Sequence, residues 1–276
     1  MKNQRSCFIP VFTSEAGRCL TVANWQELGV SMAAYDLTSL LMKPGLEFLS
    51  TLPDLTTYTG WKGSVVLNAT MPEIDREGGY TLRSEYDGSR RRYTPDDIVM
   101  LITQLKPQWV ILPEGMQNAW QSLPETILPF FAPADLPQYA DKPYGVYFLY
   151  DAATPMSSLV EKIQTFQTDK NIPCYVGGEL SVPLMQELAS LGVEYLASDV
   201  PAQDACQGKL YCQEGIVLLK DDTQRLDFSV IDEQCDCPTC KQQLTRAYLH
   251  HLLEHTPLLC QRFLIQHNVS FAGLNG

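Results

Sequence analysis

Three cysteines stand close together near the end of the chain, in the segment Cys235-Asp236-Cys237-Pro238-Thr239-Cys240. Disulfides between thiols this close along the backbone would be strained, whereas three thiolates can converge on one tetrahedral ion. The chain has nine cysteines, an odd number, and the others are scattered irregularly, which argues against an extracellular disulfide framework. The cluster therefore predicts a structural zinc site in a protein of the reducing cytoplasm.

The fourth position of such a zinc ion must be filled from elsewhere in the chain. All four histidines lie beyond the cluster, and an imidazole on a rigid helix could fold back onto it; they are His250, His251, His255 and His267. Cys260 is a competing ligand. A complete set of protein ligands leaves no position for water, so we expect a structural ion rather than a catalytic one.

Nearly continuous apolar runs alternate with amphipathic segments before the cysteine cluster, as expected for strands buried on both faces. The seven strand candidates are 8–13, 30–35, 64–69, 109–112, 144–150, 174–176 and 193–197. The predicted helices are 22–28, 37–49, 95–105, 155–166 and 183–191. Alternation of strand and helix indicates parallel strands with helices outside, in an open sheet or a barrel.

Three further segments interrupt or follow this alternation. Residues 80–93 predict a β-hairpin that turns at Asp87-Gly88 and carries the one dense basic cluster of the chain. The segment 117–142 is rich in proline and predicts a loop excursion. After the cysteines, a long helix from about 241 to 266 is expected to kink or break at Pro257.

The charge of the chain limits its partners. A formal net charge of −12 disfavours indiscriminate binding to nucleic acid, because phosphate neutralisation needs clustered lysine and arginine. Any RNA contact must therefore be local, and Arg90, Arg91 and Arg92 are its best candidates. No apolar run approaches the length of a membrane span and no signal-peptide apolar region follows the N-terminus, so we expect a soluble, cytoplasmic protein.

The cysteine spacing, the run Thr245-Arg246-Ala247-Tyr248-Leu249-His250-His251 and the pair His267-Asn268 together resemble a known zinc signature. It is that of the tRNA-guanine transglycosylases, also called queuine tRNA-ribosyltransferases. Lys43-Pro44-Gly45-Leu46-Glu47 and Gly177-Gly178 resemble further motifs of this family, the latter its base-binding glycines. The resemblance implies that His267 is the fourth zinc ligand and that the fold is a TIM-type barrel with a zinc subdomain.

The resemblance also implies a reaction, the exchange of a guanine in tRNA for a deazaguanine. In the family an aspartate attacks the ribose and a second aspartate moves protons on the base. Aligned back from Pro201, the nucleophile's position falls on Ala197, which has no carboxylate. Asn68 stands where the family has an aspartate after the third strand, and Glu114 stands at its fourth-strand Asp-Glu. Since Phe148-Leu149-Tyr150 also replaces Gln-Gly-Gly, we expect the substrate pocket to be rebuilt or lost.

We therefore predict an α/β fold with a TIM-type (β/α) barrel over residues 1–202, a hairpin insertion near 79–93, and a zinc-binding subdomain over 203–276 packed on the barrel. Seven strand candidates are one fewer than a closed barrel needs. The spacing between Gly178 and the next strand suits a chain without one strand-helix unit, and whether that unit is missing stays open.

Three functions remain open from the sequence. The first is a catalytically degenerate relative that binds tRNA or a partner, as a homodimer or as a heterodimer with a catalytic paralogue. The second is an active base-exchange enzyme in which Asp199, at a strand's C-terminal end, replaces the nucleophile and Glu114 carries protons. The third is a zinc-stabilised scaffold without RNA function. The candidate substrate-binding residues are Asn68, Gly177, Gly178, Arg90, Arg91 and Arg92.

Overall fold

The computed structural model describes residues 6–84, 87–137, 142–151, 153–167 and 172–272. Its strands are β1 (Cys7–Ile9), β2 (Met32–Asp36), β3 (Ser64–Asn68), β4 (Tyr80–Arg83), β5 (Arg90–Tyr93), β6 (Trp109–Ile111), β7 (Leu128–Phe131), β8 (Gly145–Tyr150), β9 (Cys174–Gly178), β10 (Tyr195–Ala197), β11 (Lys209–Cys212) and β12 (Gly215–Leu218). Its α-helices are α1 (Val22–Glu27), α2 (Leu37–Met42), α3 (Leu46–Leu49), α4 (Leu55–Thr59), α5 (Pro95–Leu105), α6 (Met156–Gln167), α7 (Val182–Ser190), α8 (Val200–Cys206), α9 (Arg246–His255) and α10 (Pro257–Phe271). The chain divides into two compact units, a first unit of Met1–Ser31 with Gly178–Gly276 and a second unit of Met32–Gly177.

The second unit is built on parallel strands that neighbour one another in the order β2, β3, β6, β7, β8 and β9. β2 and β3 stay in register from the pair Met32 and Ser64 to the pair Asp36 and Asn68. Within β3, Val65, Val66 and Leu67 are all fully buried. Apolar side chains at successive positions point to opposite faces, so both faces of this sheet are covered.

In the first unit, β1 pairs in parallel with β10, from Cys7 opposite Tyr195 to Ile9 opposite Ala197. α8 follows β10, then the antiparallel hairpin of β11 and β12, and finally α9 and α10. Counted over both units, the described residues contain eight such strands, which alternate along the chain with helical segments. This is the strand set of a TIM-type barrel, so the predicted fold class is confirmed.

The prediction of a loop over the proline-rich segment is wrong in one respect, because β7 lies within it. Pro129 hid this strand, since proline cannot donate a backbone hydrogen bond and usually excludes a central strand. Here Leu128 N–H donates to Gln108 O, and Phe130 O accepts from Leu112 N–H, so β7 pairs with β6 through the residues on either side of the proline. Pairing with β8 begins only at Phe130, beyond the missing donor.

The strand count answers the question of the missing unit. Residues 179–194 contain one helix, α7, and no strand, so the short spacing before β10 is real. β7 nevertheless brings the number of barrel strands to eight. It is followed by a short 3-10 helix, Pro133–Asp135, rather than by an α-helix in the described residues before β8.

The predicted helix over 37–49 is two helices in the structure, α2 and α3. Pro44 cannot donate to a helical carbonyl, and Gly45 has a φ of 102°, a conformation that residues with a side chain rarely adopt. By contrast, the break at Pro257 is confirmed: α9 ends at His255 and α10 starts at Pro257, with Thr256 in a non-helical conformation between them.

The hairpin prediction is confirmed by the antiparallel pairing of β4 and β5, from Tyr80 opposite Tyr93 to Arg83 opposite Arg90. Glu85 and Tyr86, also placed in this hairpin, lie outside the described residues. The helix signal at Thr94-Pro95 is confirmed as well, because Asp97 N–H donates to the Thr94 hydroxyl and Pro95 is the first residue of α5. The predicted domain boundary between 202 and 203 stays a prediction.

Within the described ranges, no helix combines the length and the apolar character needed to cross a lipid bilayer.

Close packing of β7 on β8 generates a prediction about stability. A Cβ atom on Gly145 would overlap the ring of Phe130, which is fully buried. Gly145→Ala should therefore lower the free energy of unfolding by about 1–3 kcal/mol, the usual cost of overpacking a core. Urea denaturation of the purified chain measures this loss.

The control is the double variant Gly145→Ala with Phe130→Leu, in which the smaller leucine side chain makes room for the new methyl group. The double variant should lose clearly less stability than the sum of the two single variants, because each change relieves the other. Additive losses would show that the ring and the glycine are not in the contact described.

Candidate functional site

The cysteine segment and α10 bring four ligand atoms into one place. The thiols of Cys235, Cys237 and Cys240 and an imidazole nitrogen of His267 all lie within 4.8 Å of one another. Cys237, Cys240 and His267 are buried, and Cys235 is half-buried. The Thr239 hydroxyl donates to Phe263 O at 2.9 Å, which fixes the cysteine turn against α10.

His267 presents one particular nitrogen to the thiols. Its Nε2 lies 2.7 Å from the backbone oxygen of Tyr211, and a carbonyl can only accept, so Nε2 carries the hydrogen. Nδ1 is then the atom with the lone pair, and it lies 3.2 Å from Cys240 Sγ and 3.8 Å from Cys237 Sγ. A carbonyl that fixes the tautomer in this way is typical of a histidine that binds a metal.

These distances fit a zinc ion. Zinc bonds of about 2.3 Å to sulfur and 2.0 Å to nitrogen, at tetrahedral angles, place sulfur and nitrogen about 3.5 Å apart. The two distances from His267 Nδ1 bracket this value. Three thiolates and one imidazole are also a donor set that structural zinc sites use. The residues therefore fit a closed zinc centre with no position left for water.

The ionisation of the cluster shows the same need for a cation. Hydrogen bonds from Cys240 and His267 lower the pKa of Cys237 to about 4. The hydrogen bond to Cys237 and burial both raise the pKa of Cys240, because a second thiolate beside the first would be repelled. Without a cation at the centre, burial lowers the pKa of His267, but the hydrogen bonds that its protonated ring gives to Cys235 and Cys237 raise this pKa to about 9. A divalent ion at the centre would let all three thiols ionise.

Asn268, the residue after His267, ties α10 to the neighbouring elements. Its side-chain oxygen accepts from Tyr211 N–H at 3.1 Å, and its amide donates to Lys209 O at 3.0 Å and to Pro201 O at 3.2 Å. The His-Asn pair therefore fixes both the cluster and the free edge of β11. Its asparagine acts on the backbone and not on the cluster.

The other ligand candidates lie elsewhere. Cys260 is fully buried on α10, and its thiol donates to Leu249 O at 3.3 Å. His250 is buried on α9 with Nδ1 at 2.6 Å from Leu219 O. His251 and His255 lie on the exposed side of the same helix.

Ala197 is the last residue of β10 and is buried, so this strand ends without a carboxylate. Asp199 does not continue the strand: its backbone, with φ −103° and ψ −5°, is already helical, just before α8. Its half-buried side chain lines a cleft of about 890 Å³ in the first unit, together with Ser14, Cys19, Cys206 and Gln261. Burial raises the pKa of Cys206 to about 12, and the neighbouring Cys19, Asp199 and Glu15 add to this rise.

Two polar groups that the sequence did not link form at the ends of strands in the second unit. In one, Asn68 donates to Asp36 Oδ1 at 3.0 Å and accepts from the Thr70 hydroxyl at 2.8 Å. Burial raises the pKa of Tyr175, and the charge of Asp36 raises it further. Asp36 is the last residue of the apolar strand β2, and a carboxylate in that position is a sequence signal for a strand-end site.

In the other group, Glu114 is exposed in the turn after β6. Asp135 accepts from Gly115 N–H at 2.9 Å and from the Gln117 side chain. Burial raises the pKa of Tyr147 to about 12, with further contributions from the charges of Glu114 and Asp135. Asp135 could not have been found from sequence, because it follows β7, the strand hidden by Pro129.

The arginine cluster divides into residues with different surroundings. Arg92 pairs with Asp75 at 3.0 Å and with Glu77 at 3.6 Å. Arg91 donates to the backbone oxygens of Leu41 and Met42. Arg90 is exposed and lies opposite Arg83, also exposed, across the hairpin. Pairing of the two strands therefore places the exposed side chains of Arg83 and Arg90 opposite each other.

Gly177 and Gly178 end β9, and Gly178 has a φ of 125°. Glycine tolerates this conformation and most residues do not.

Comparison with known proteins agrees with the cluster and the strand set. The family described as queuine tRNA-ribosyltransferase matches residues 142–273, which include all four cluster residues. The chain is 25% identical to a queuine tRNA-ribosyltransferase of Treponema denticola, over 96% of this chain and 82% of the relative. It is 26% identical to one of Thermotoga neapolitana, over 96% and 83%, and 23% identical to one of Methylacidiphilum infernorum, over 96% and 84%. The chain is therefore similar to the queuine tRNA-ribosyltransferases over most of its length, at low identity.

Proposed function

We propose that this protein is a zinc-stabilised member of its family that binds tRNA without exchanging its base. One observation carries the proposal: β10 ends at Ala197, where the family's nucleophilic aspartate would stand. A methyl group cannot form a covalent bond to the ribose, so the first chemical step has no nucleophile there.

The zinc part of the proposal is supported by the donor set and the distances of the cluster. Four protein ligands make a closed site, so the ion would hold the cysteine segment and α10 together and take no part in chemistry. A buried set of three thiols and one imidazole without a cation would be costly, because ionised groups would lie side by side away from water.

The tRNA part is supported by the relatives' names and by the hairpin of the second unit. Arg83 and Arg90 form an exposed positive pair on a chain of net charge −12. Local attraction to phosphate needs such a pair, because the field of the whole chain repels RNA. Asn68, with Asp36 and Thr70, and Gly177 with Gly178 are the proposed remnants of a base-binding pocket.

A subunit without catalysis needs a partner, and the first unit offers an apolar surface for one. Leu226, Phe228 and Tyr248 are 75%, 73% and 47% exposed. They lie close together because Ala247 N–H donates to Asp227 O and the 3-10 helix Asp222–Leu226 packs on α9. An exposed apolar group of this kind marks a protein interface. We propose a dimer, with a second copy or a catalytic paralogue, in the cytoplasm.

A second candidate function is active base exchange with Asp199 as nucleophile and Glu114 as proton carrier. The half-buried position of Asp199 in its cleft favours it. The helical backbone at Asp199 argues against this function, because the side chain no longer follows the alternating side-chain directions of β10. A scaffold without RNA function is the third candidate, and experiments must distinguish it from the other two.

Removing one thiol tests the metal centre. Cys237→Ser should reduce zinc from about one ion per chain to a small fraction, and should lower the Tm, because binding and folding are coupled. Metal analysis of the purified chain and a thermal melt measure both. Cys260→Ser is the matched control, since this buried thiol lies outside the cluster and its loss should leave the zinc content unchanged. Equal loss in both variants would refute the assignment.

Incubation with tRNA and labelled guanine tests catalysis. We expect no incorporation by the natural chain, and none by Asp199→Asn. Incorporation that disappears in Asp199→Asn would establish the active enzyme and overturn the proposal. Glu179→Gln is the control for that result, because this acidic residue lies in the same unit but does not line the cleft of Asp199.

The same purified protein tests RNA binding. The tRNA affinity should fall as salt rises, and Arg90→Gln should weaken it and reduce the slope of log affinity against log salt by about one. Arg225→Gln, an exposed arginine of the first unit, should change neither. Absence of both incorporation and tRNA binding would leave the scaffold function.

Light scattering tests the apolar surface. We expect a mass of two 31.0 kDa chains, or a stable complex with a catalytic paralogue, and Phe228→Asp should abolish it because a charge cannot be buried there. Leu258→Asp is the control, since Leu258 is equally exposed (76%) but lines the cleft of Asp199 instead. A single-chain mass together with no complex would contradict the dimer.

A further inference from the structure

Two thiols outside the cysteine cluster meet in the first unit. β1 and β10 are parallel neighbours, so the segments that follow them emerge at the same edge of the sheet. Cys19 ends the 3-10 helix Gly17–Cys19 after β1, and Cys206 ends α8 after β10. Both are half-buried and line the cleft that also contains Asp199. The fold therefore brings together two thiols that stand far apart in the sequence.

The two thiols are hydrogen-bonded to each other. Burial raises the pKa of Cys206 to about 12, and so does its bond to the sulfur of Cys19, which keeps the proton on Cys206. The S–H of Cys19 donates in turn to Glu15 O at 3.6 Å. Sulfur atoms that share a hydrogen bond need only side-chain rotations to form a disulfide, whereas cysteines with distant Cα atoms need the backbone to move.

Backbone contacts hold both thiols where they are. Arg18 donates from Nη2 to Thr13 O at 2.7 Å, which fixes the loop that carries Cys19. The Gln261 side chain on α10 donates to Cys206 O at 3.2 Å, which fixes the end of α8. Because the fold already orders the two segments, joining their sulfurs costs little further conformational entropy.

Other cysteines of the first unit have different surroundings. Cys7 is half-buried like the pair, but its sulfur lies 4.0 Å from the Ser31 hydroxyl, and an oxygen there cannot form a disulfide. Cys260 is fully buried and its thiol donates to a backbone oxygen. In a reducing cytoplasm, neighbouring thiols that reach solvent are typical of transient, redox-dependent disulfides.

We propose that Cys19 and Cys206 form a reversible disulfide by exchange with a small-molecule disulfide of the glutathione type. The Cys19 thiolate attacks one sulfur of that molecule, so a mixed disulfide forms and one small thiolate leaves. Cys206 then loses its proton to solvent and attacks the Cys19 sulfur, which expels the second small thiolate. The protein loses two electrons, and the small disulfide is reduced to two thiols. The cleft, of about 890 Å³, has room for such a molecule.

The order of the two attacks follows from the hydrogen bond. Cys206 is the donor and holds its proton at neutral pH, and a protonated thiol is a poor nucleophile. Cys19 is the acceptor, and an ionised acceptor would make that bond stronger. Cys19 is therefore the attacking thiol and Cys206 the resolving thiol.

The bridge would join the loop after β1 to the end of α8 at the wall of the cleft. Because it links distant positions of the chain, it would restrict the unfolded state strongly. We therefore expect the oxidised protein to have a higher Tm than the reduced protein, with dithiothreitol reversing the change.

Thiol counting tests the proposal. The full chain, purified with zinc present, is incubated with oxidised glutathione and then denatured, and its free thiols are titrated. We expect two of the nine thiols to be lost. Trypsin with a glutamate-specific protease leaves Cys19 and Cys206 each as the single cysteine of its peptide, so mass spectrometry identifies the bridge directly.

Single variants test the two roles. Cys206→Ser should retain one glutathione on Cys19, because no second thiol is there to expel it. Cys19→Ser should take up glutathione at Cys206 at least about tenfold more slowly, since that thiol stays protonated. Cys7→Ser is the matched control and should form the bridge as the natural chain does. Serine is close to cysteine in size, so the reduced variants should melt with the reduced natural chain.

Three results would overturn the proposal. The first is a thiol count that oxidised glutathione leaves unchanged. The second is a glutathione adduct that persists on Cys19 of the natural chain, since Cys206 would then fail to reach it. The third is a bridge that joins other cysteines in place of these two.

Discussion

The edge of β11 and two successive side chains of α10 form the interaction on which the first unit depends. β11 pairs with β12 on one side only, so the backbone of Tyr211 needs partners on the other. His267 donates to its carbonyl and Asn268 accepts from its N–H. The same bond to His267 turns Nδ1 toward the thiols, so one contact satisfies a strand edge and orients a candidate metal ligand. The amide of Asn268 reaches Pro201 and thereby connects this arrangement to the start of α8.

This dependence ties the cluster to the fold of the first unit and does not extend to the end of β10. Every member of the cluster is needed, because loss of one ligand leaves the remaining buried thiols without compensation. The end of β10 is under no such constraint, because Ala197 is buried there and has no polar side chain that needs a partner. The cluster of three cysteines and one histidine can therefore be kept while the end of β10 changes. Its presence is evidence of descent and of fold, whereas activity must be argued from the strand ends themselves.

Because the whole chain has a net negative charge, attraction to phosphate depends on local basic groups that neighbouring carboxylates do not neutralise. Arg92 is neutralised by Asp75 and Glu77, and Arg91 is engaged with backbone carbonyls, so three consecutive arginines do not act as one patch. Pairing of β4 with β5 instead joins Arg90 to Arg83, which is seven positions away. The strand-end groups are likewise assembled by the sheet, since Asp36 meets Asn68 only because β2 and β3 run in register.

The sequence by itself determined the elements whose causes are local. Cysteine spacing specified the three thiols of the candidate metal cluster, continuous apolar runs specified buried parallel strands, and Thr94-Pro95 and Pro257 specified where helices start and break. Only the tertiary structure decided matters that depend on distant neighbours. Pro129 could enter a strand because its missing donor falls where pairing with β8 has not begun. Asp199 left the strand's alternation because β10 ends two residues earlier, and Cys19 lies beside Cys206 because β1 and β10 are neighbours in the sheet. In each case a long-range partner, absent from any local pattern, set the outcome.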